Sequence, residues 1–332
     1  NKTAFEAAFL HVLLLARESG LLRVGTVSID GTKIDANASK IRSVRYERAK
    51  ELRAKLAADI AALTAQAEAA DANDADPQAL PAEIARREAL AAKLDAACAR
   101  LEAQARDEAD AARPAYDAKK GRRGRPPKPP DDAPPPERQS NLTDPDSALM
   151  RRSDAHEYRQ AYNAQAVVCA DGAQLIPATN LVVATADAPS FAETVLAIKH
   201  GIGLPRVVLA DTGFASGPAV AALEAREIEP LVAIGRTQPH RPYDFRPPPS
   251  AKKAARQIKE PWRIAMKAKL EMDNAKALYK KRKQTVEPLL GIIKSAIGFV
   301  RFRLRGISNV ATEWNLVALA YNCRRIANMK AA

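Results

Sequence analysis

The stretch YKKRKQTVEPLLGIIK (279–294) places one carboxylate, Glu287, among the cations Lys280, Lys281, Arg282, Lys283 and Lys294. Leu289, Leu290, Ile292 and Ile293 give it the apolar contacts of a helix. Glu287 and Lys294 are seven residues apart, about two helical turns, so both can face one way. Two readings are open. One is a solvated basic helix with a salt-bridged glutamate. The other is an acidic metal ligand beside a comb of phosphate-binding cations. The second needs further carboxylates, on strands elsewhere in the chain.

Two segments offer them. VGTVSID (24–30) alternates β-branched residues as a strand does and is expected to stop at Gly31, leaving Asp30 at its carboxyl end. RVVLAD (206–211) is a short apolar run suited to a strand covered on both faces, and Asp211 is followed by the turn residues Thr212 and Gly213. If the two strands are parallel neighbours, both side chains lie at the sheet edge where α/β folds place ligands. Three carboxylates without a Cys/His set suit hard ions such as Mg²⁺ or Mn²⁺. Two such ions about 3.5–4 Å apart activate a water and stabilise a leaving oxygen in phosphodiester cleavage. By position Asp211 leads and Asp30 follows, while Glu287 is singled out by its basic surroundings. Asp35, Asp171, Glu229 and Glu313 compete with them. His11, His156, His200 and His240 have no ligand spacing, and no Ser-His-Asp set or phosphate loop is present.

The charge distribution points to the partner. Of a net charge of +13, residues 241–332 hold 21 Lys+Arg against 6 Asp+Glu, a net of +15, and the rest of the chain carries −2. Solubility alone requires no such segregation; a polyanion docking around Glu287 does. With 47% hydrophobic and 27% charged residues over 332 positions, the chain reads as soluble and globular. Cys98, Cys169 and Cys323 form no CxxC pair and suggest a reducing compartment, and no apolar run approaches the ~20 residues of a membrane span. The first residue is Asn1, which reads as the loss of an upstream part.

The elements that must position these groups follow in order. A helix is expected over 4–19, ended by Gly20. Residues 45–112 form an Ala/Leu/Glu/Arg-rich antiparallel helical hairpin with heptad-like Leu56, Ile60, Leu63 and Leu90, Leu94, Leu101, broken at DANDADPQALP (71–81) and read as a spacer or self-association arm. Residues 113–140 are a Pro/Arg-rich linker, extended or disordered, whose GRRGRPPK segment is able to touch a DNA minor groove. YNAQAVVCA (162–170), a turn at Asp171-Gly172, and AQLIPATNLVVA (173–184) make a β-hairpin. Helices follow over 187–200 and 218–227, a strand over 229–234, and a last helix over 311–328. Pro288 cannot donate to the Gln284 carbonyl, so the helix either starts near Thr285 or runs from about 275 with a kink, and the kink is the preferred expectation.

Five segments together resemble the DDE-type transposases of bacterial insertion sequences: IDGTKIDANAS (29–39), TDPDSALM (143–150), YNAQAVV (162–168), VVLADTGF (207–214) and 279–306, extended by EWNLVALAYNCRRI (313–326). The resemblance covers most of the chain outside 45–140. It implies an α/β fold, a ribonuclease H-like mixed five-stranded sheet flanked by helices, built from 24–44 and 141–332, with the hairpin 45–112 and linker 113–140 inserted and 1–23 left from an N-terminal helical region. It also implies Asp30, Asp211 and Glu287 as catalytic metal ligands, and a Tyr-Arg-Glu-Lys signature at Tyr279, Arg282, Glu287 and Lys294. Four residues separate Arg282 from Glu287 here, against three in the related signature. Tyr279, Lys281, Arg282, Lys283 and Lys294 are the expected DNA contacts. The implied activity is DNA cleavage and strand transfer with two Mg²⁺ or Mn²⁺ ions, by a homodimer assembled on DNA in the bacterial cytoplasm at the nucleoid. A non-catalytic DNA-binding remnant and a metal-dependent nuclease that cuts without joining are the alternatives.

Overall fold

The computed structural model describes residues 2–71, 80–120, 127–151, 157–235, 258 and 260–330. It divides into two compact units, Asn1–Asn37 with Ala161–Ala332, and Ala38–Gln160.

The first unit opens on helix α1 (Lys2–Glu18), which buries Phe9, Leu13 and Ala16 on one face. Gly20 ends it at φ +70°, and the Leu21 N–H reaches back to the Ala16 carbonyl. Strand β1 (Leu22–Asp35) then runs through the centre of a sheet. It pairs antiparallel with β5 (Tyr158–Gly172, in this unit from Ala161) and parallel with β7 (Val207–Ala210). β6 (Ala178–Val182) lies antiparallel outside β5, and β8 (Glu229–Val232) parallel outside β7. Numbered by appearance within the unit, the five strands stand in the order third, second, first, fourth, fifth. This is the mixed five-stranded sheet of the ribonuclease H-like fold expected from sequence.

Helices cover this sheet. α4 (Phe191–Leu196) packs on β6, and α5 (Gly217–Glu224) on β8. α6 (Pro261–Glu271) packs on β8, and α7 (Asp273–Ser295) lies on β1 and β7. The last helix, α8 (Ile307–Lys330), packs on α1 and β6. It is fixed by two polar anchors inside the core. The Trp314 indole N–H donates to the Gln165 carbonyl at 2.9 Å, and the Asn322 amide bonds both the N–H and the carbonyl of Ile176 at 2.8 and 2.9 Å. Both side chains are fully buried, so each bond satisfies a group that would otherwise be costly to bury.

Two of the expected boundaries that move bear on the site. β1 does not stop at Gly31; its pairing with β5 continues to Asp35. The glycine is there for close approach, since a Cβ at that position would stand 2.6 Å from Asn163 Oδ1 and 2.8 Å from Asp187 Oδ1. The helix expected over 187–200 shortens to one 3₁₀ turn (Ala188–Ser190) and α4, because the chain turns after Leu196 through Ile202 N–H to Lys199 carbonyl bonds.

The second unit contains a two-stranded pair, β2 (Ser43–Arg45) with β3 (Gln139–Asn141), and a further strand, β4 (Ala148–Arg151). Its helices α2 (Tyr46–Asp71) and α3 (Leu80–Asp117) pack along each other. Val44, Ala49, Leu56, Leu94 and Cys98 form their core, which places Leu56 and Leu94 of the two heptad runs on the seam. α3 continues through Pro114, so the first five residues of the expected linker are helical. Residues 127–138 are irregular but tethered: the Pro136 and Arg138 carbonyls accept the Glu47 and Tyr46 N–H groups, and Arg138 forks onto Glu108. Most of GRRGRPPK lies outside the described residues. Residues 141–160 cluster with this hairpin unit.

Candidate active site

Asp30 belongs to β1 and Asp211 follows the last residue of β7. Ser28 pairs with Leu209 in the parallel register, so Asp30 and Asp211 each lie two residues past the same rung. Side chains alternate along a strand, so Asp30 shares the face of Ser28. That face is covered by α7, whose buried Thr285 shares a 2.8 Å hydrogen bond with the Ser28 hydroxyl. Asp211 caps the short 3₁₀ turn Thr212–Phe214, its Oδ1 accepting the Gly213 N–H at 2.8 Å. This backbone bond aims the carboxylate across the sheet edge.

Glu287 completes the set from α7. The Arg282 guanidinium joins all three carboxylates: Nη2 stands 3.0 Å from Asp30 Oδ2 and 3.6 Å from Asp211 Oδ2, and Nη1 stands 2.8 Å from Glu287 Oε1. Arg282 is only 6% exposed, while Asp211 and Glu287 are open to solvent on their outer sides. Burial pushes the Asp30 carboxyl up to about 6, and the neighbouring Asp211 and Asp187 charges add to the rise; Arg282 and the Gly31 N–H pull the other way without cancelling it. The contact with arginine therefore does not outweigh desolvation here.

The remaining expected contacts separate. Tyr279 does not present its hydroxyl to solvent: it donates to the Ala210 carbonyl at 3.0 Å, immediately before Asp211, and burial raises its pKa. Lys281 is turned away to Asp171, 2.7 Å distant. Lys280 and Lys283 are exposed, and Lys294 is half-buried in the last turn of α7.

Pro288 lies inside one unbroken helix, and Thr285 is not its N-cap: the hydroxyl bonds back to the Lys281 carbonyl at 3.0 Å. The missing N–H of Pro288 leaves the Gln284 carbonyl without its helical donor. The Gln174 side-chain amide supplies one at 3.3 Å from the turn between β5 and β6, beside Asp171 and its bond to Lys281. The turn thus grips the helix three residues before Glu287. Gln174→Ala is expected to destabilise the chain by about 0.5–1.5 kcal/mol with Pro288 present. In a Pro288→Ala background, where the helix supplies the donor itself, the same change should cost nothing. Denaturant midpoints of the four proteins in a double-mutant cycle test this, and equal effects in both backgrounds would dismiss the grip.

Sequence reasoning missed Asp187. Its Oδ1 accepts the amides of Asn163 at 2.7 Å and Gln165 at 2.9 Å, and the Gln165 oxygen takes the hydroxyls of Ser190 and Thr194 at 2.9 and 2.8 Å. Its Oδ2 and the Oδ1 of Asp211 converge beside Gly213, where a Cβ would meet them at 3.1 and 2.9 Å. A buried, satisfied amide–hydroxyl network thus fixes a fourth carboxylate beside Asp30 and Asp211. The available signal was the pair Asn163 and Gln165, two amides on one face of an otherwise apolar strand.

The donor set suits a hard divalent ion, since it offers only carboxylate oxygens around a buried cationic group. Its spacing does not: among the described residues no three acidic, histidine or cysteine side chains converge closely enough to hold an ion, because a guanidinium stands between them. No helix among the described residues is long and apolar enough to cross a membrane.

No curated protein and no solved structure matches the chain. The profile of the family described as "Transposase DDE domain" matches residues 137–323, a span that includes Asp211, Arg282 and Glu287 and begins after Asp30. Because that span is more than half of its length, the chain belongs to the DDE-type transposases.

Proposed function

We propose that this transposase cleaves DNA strands at the ends of a bacterial insertion sequence and joins them to target DNA, with Asp30, Asp211 and Glu287 as its acidic centre. The observation that carries the reading is the gathering of three carboxylates, far apart in sequence, around one buried cation just past the parallel pairing of β1 with β7. Asp30, Asp211 and Glu287 would hold Mg²⁺ or Mn²⁺. Two such ions, when bound, supply activation of the attacking hydroxyl and stabilisation of the leaving oxygen. The chain's own residues do the positioning. The Gly213 N–H aims Asp211, the Gly31 N–H aims Asp30, and the Asn163–Gln165 pair holds Asp187 behind them. Tyr279 and Thr285 pin α7 to β7 and β1 on either side of Arg282, so Glu287 is presented from a fixed helix.

DNA is held by the basic surface of the C-terminal part, and two copies of the chain act on paired ends. Lys280 and Lys283, both exposed beside Glu287, are the phosphate contacts. Replacing both by Gln is expected to lower the slope of log K against log salt by about 1.8, roughly 0.9 for each lost phosphate contact. Fluorescence anisotropy of labelled duplex across a salt series measures it, and an unchanged slope removes this face from the DNA contact.

The decisive experiment is a strand-transfer assay with the flanking inverted repeats and Mg²⁺. Joining of the cut 3′ end to target DNA supports the reading. Nicking without joining identifies a nuclease, and binding without nicking identifies a non-catalytic remnant.

A further inference from the structure

We propose that Arg282 is the resident cation of the acidic centre: its guanidinium holds Asp30, Asp211 and Glu287 together in the metal-free chain and must swing out before a divalent ion enters. The proposal rests on the reading that these three carboxylates bind the ion. In the related signature such an arginine is an expected DNA contact; here its two terminal nitrogens are both committed to the acidic centre.

Three observations lead to displacement rather than coexistence. The first is position. The guanidinium reaches Asp30 and Asp211 through Nη2 and Glu287 through Nη1, so it occupies the space on which the carboxylates converge. A Mg²⁺ ion needs its oxygens at about 2.0–2.1 Å, far closer than carboxylates spread over a guanidinium permit. The second is charge. Arginine does not lose its proton in proteins, so a divalent ion admitted beside it would meet a fixed positive charge whose side chain is itself almost fully buried. The third is that the lodged arginine is not fully satisfied. Its Nε is a buried donor without a partner, in a side chain only 6% exposed. An unmet buried donor favours any position in which water or a DNA phosphate can serve it.

The surroundings make the exchange a side-chain movement. Tyr279, one turn before Arg282, is bonded to the Ala210 carbonyl, and Thr285, one turn after it, to Ser28. The backbone of α7 is therefore fixed on both sides of the arginine. In the absence of metal the guanidinium offsets the mutual repulsion of the carboxylates and keeps them facing one point. On loading, the ion takes over that task, and the freed arginine becomes available to a phosphate.

The sign of one measurement decides the matter. Mn²⁺ binding to the full chain is followed by the loss of the free-ion electron paramagnetic resonance signal. Arg282→Gln removes the competing cation and is expected to bind Mn²⁺ at least about tenfold more tightly than wild type. In chelator the same variant should melt below wild type, with the gap closing as Mn²⁺ is added. An Arg282→Gln chain that keeps its circular dichroism spectrum yet binds Mn²⁺ no better, or more weakly, overturns the proposal. A second measurement needs no variant. The Arg282 Nε–H resonance of the wild-type chain should be protected from hydrogen exchange without Mg²⁺ and lose that protection on Mg²⁺ addition; protection that persists in saturating Mg²⁺ overturns it as well. Asp211→Asn separates the two levels of the argument. If it binds Mn²⁺ like wild type, the assignment of the ligands fails; if it loses Mn²⁺ while Arg282→Gln gains none, only the displacement fails.

Discussion

Replacing Asp211 by Asn or Glu287 by Gln is expected to lower strand cleavage by about 10³-fold or more while leaving DNA binding intact. Each change removes one negative charge and keeps the shape of the side chain. Asp211 and Glu287 would each hold such an ion, and one carboxylate fewer would take several kcal/mol from the charge stabilisation it would supply, with each ~1.4 kcal/mol a factor of ten. Both carboxylates are partly exposed, 43% and 49%, so folding is little affected. The cations proposed to meet DNA are untouched, so affinity for an end duplex should stay within a factor of two to three. Single-turnover nicking of a labelled end, alongside a binding titration, measures both quantities. A fall in cleavage of less than about tenfold at either position would remove that residue from the acidic centre.

Asp30→Asn should have the same effect on cleavage but, unlike those changes, should raise stability. The folded chain holds the Asp30 carboxyl at about 6 against an ordinary 3.8, mainly because it is buried. A carboxyl whose pKa is raised on folding contributes its full stability below the unfolded value and loses it as pH rises through the folded one. At pH 8 without metal the ionised Asp30 is therefore a burden of about 3 kcal/mol, at 1.36 kcal/mol for each unit of the shift. An asparagine accepts the Gly31 N–H equally well and carries no charge. In chelator at pH 8 the variant should be the more stable protein, and the gap should close as pH falls from 6 to 4. Denaturant midpoints over that range test it; a variant less stable than wild type at pH 8 would mean that the ion pair with Arg282 outweighs burial. A residue that weakened the fold and proved necessary for cleavage would be one kept for its chemistry.

Much of this was legible in the amino-acid order, for a physical reason in each case. Alternation in VGTVSID and the apolar run RVVLA impose strands, because only a pleated backbone sorts those side chains to two faces. The heptad spacing of Leu56 and Leu94 imposes a helical pair for the corresponding reason. The concentration of positive charge after 241 is a property of composition alone. The identity of Asp30, Asp211 and Glu287 as candidates followed from strand ends and from a lone acid among cations.

What the linear order left open were the relations that exist only after folding. Gly31 looked like a stop; in the sheet it is a gap that admits Asn163 and Asp187, residues more than a hundred positions away. Pro288 read as a kink in one long helix; the helix does run through it, and the donor that the proline lacks comes from the amide of Gln174, in a turn across the unit. Tyr279 and Lys281 read as DNA contacts; in the fold the Tyr279 hydroxyl bonds the Ala210 carbonyl and Lys281 pairs with Asp171. Arg282 read as a signature residue of the basic run, expected to meet DNA. Only the parallel register of β1 and β7, with α7 laid over it, brings its guanidinium among three carboxylates, because charge interactions are set by distance through space and burial, and neither can be read along the chain.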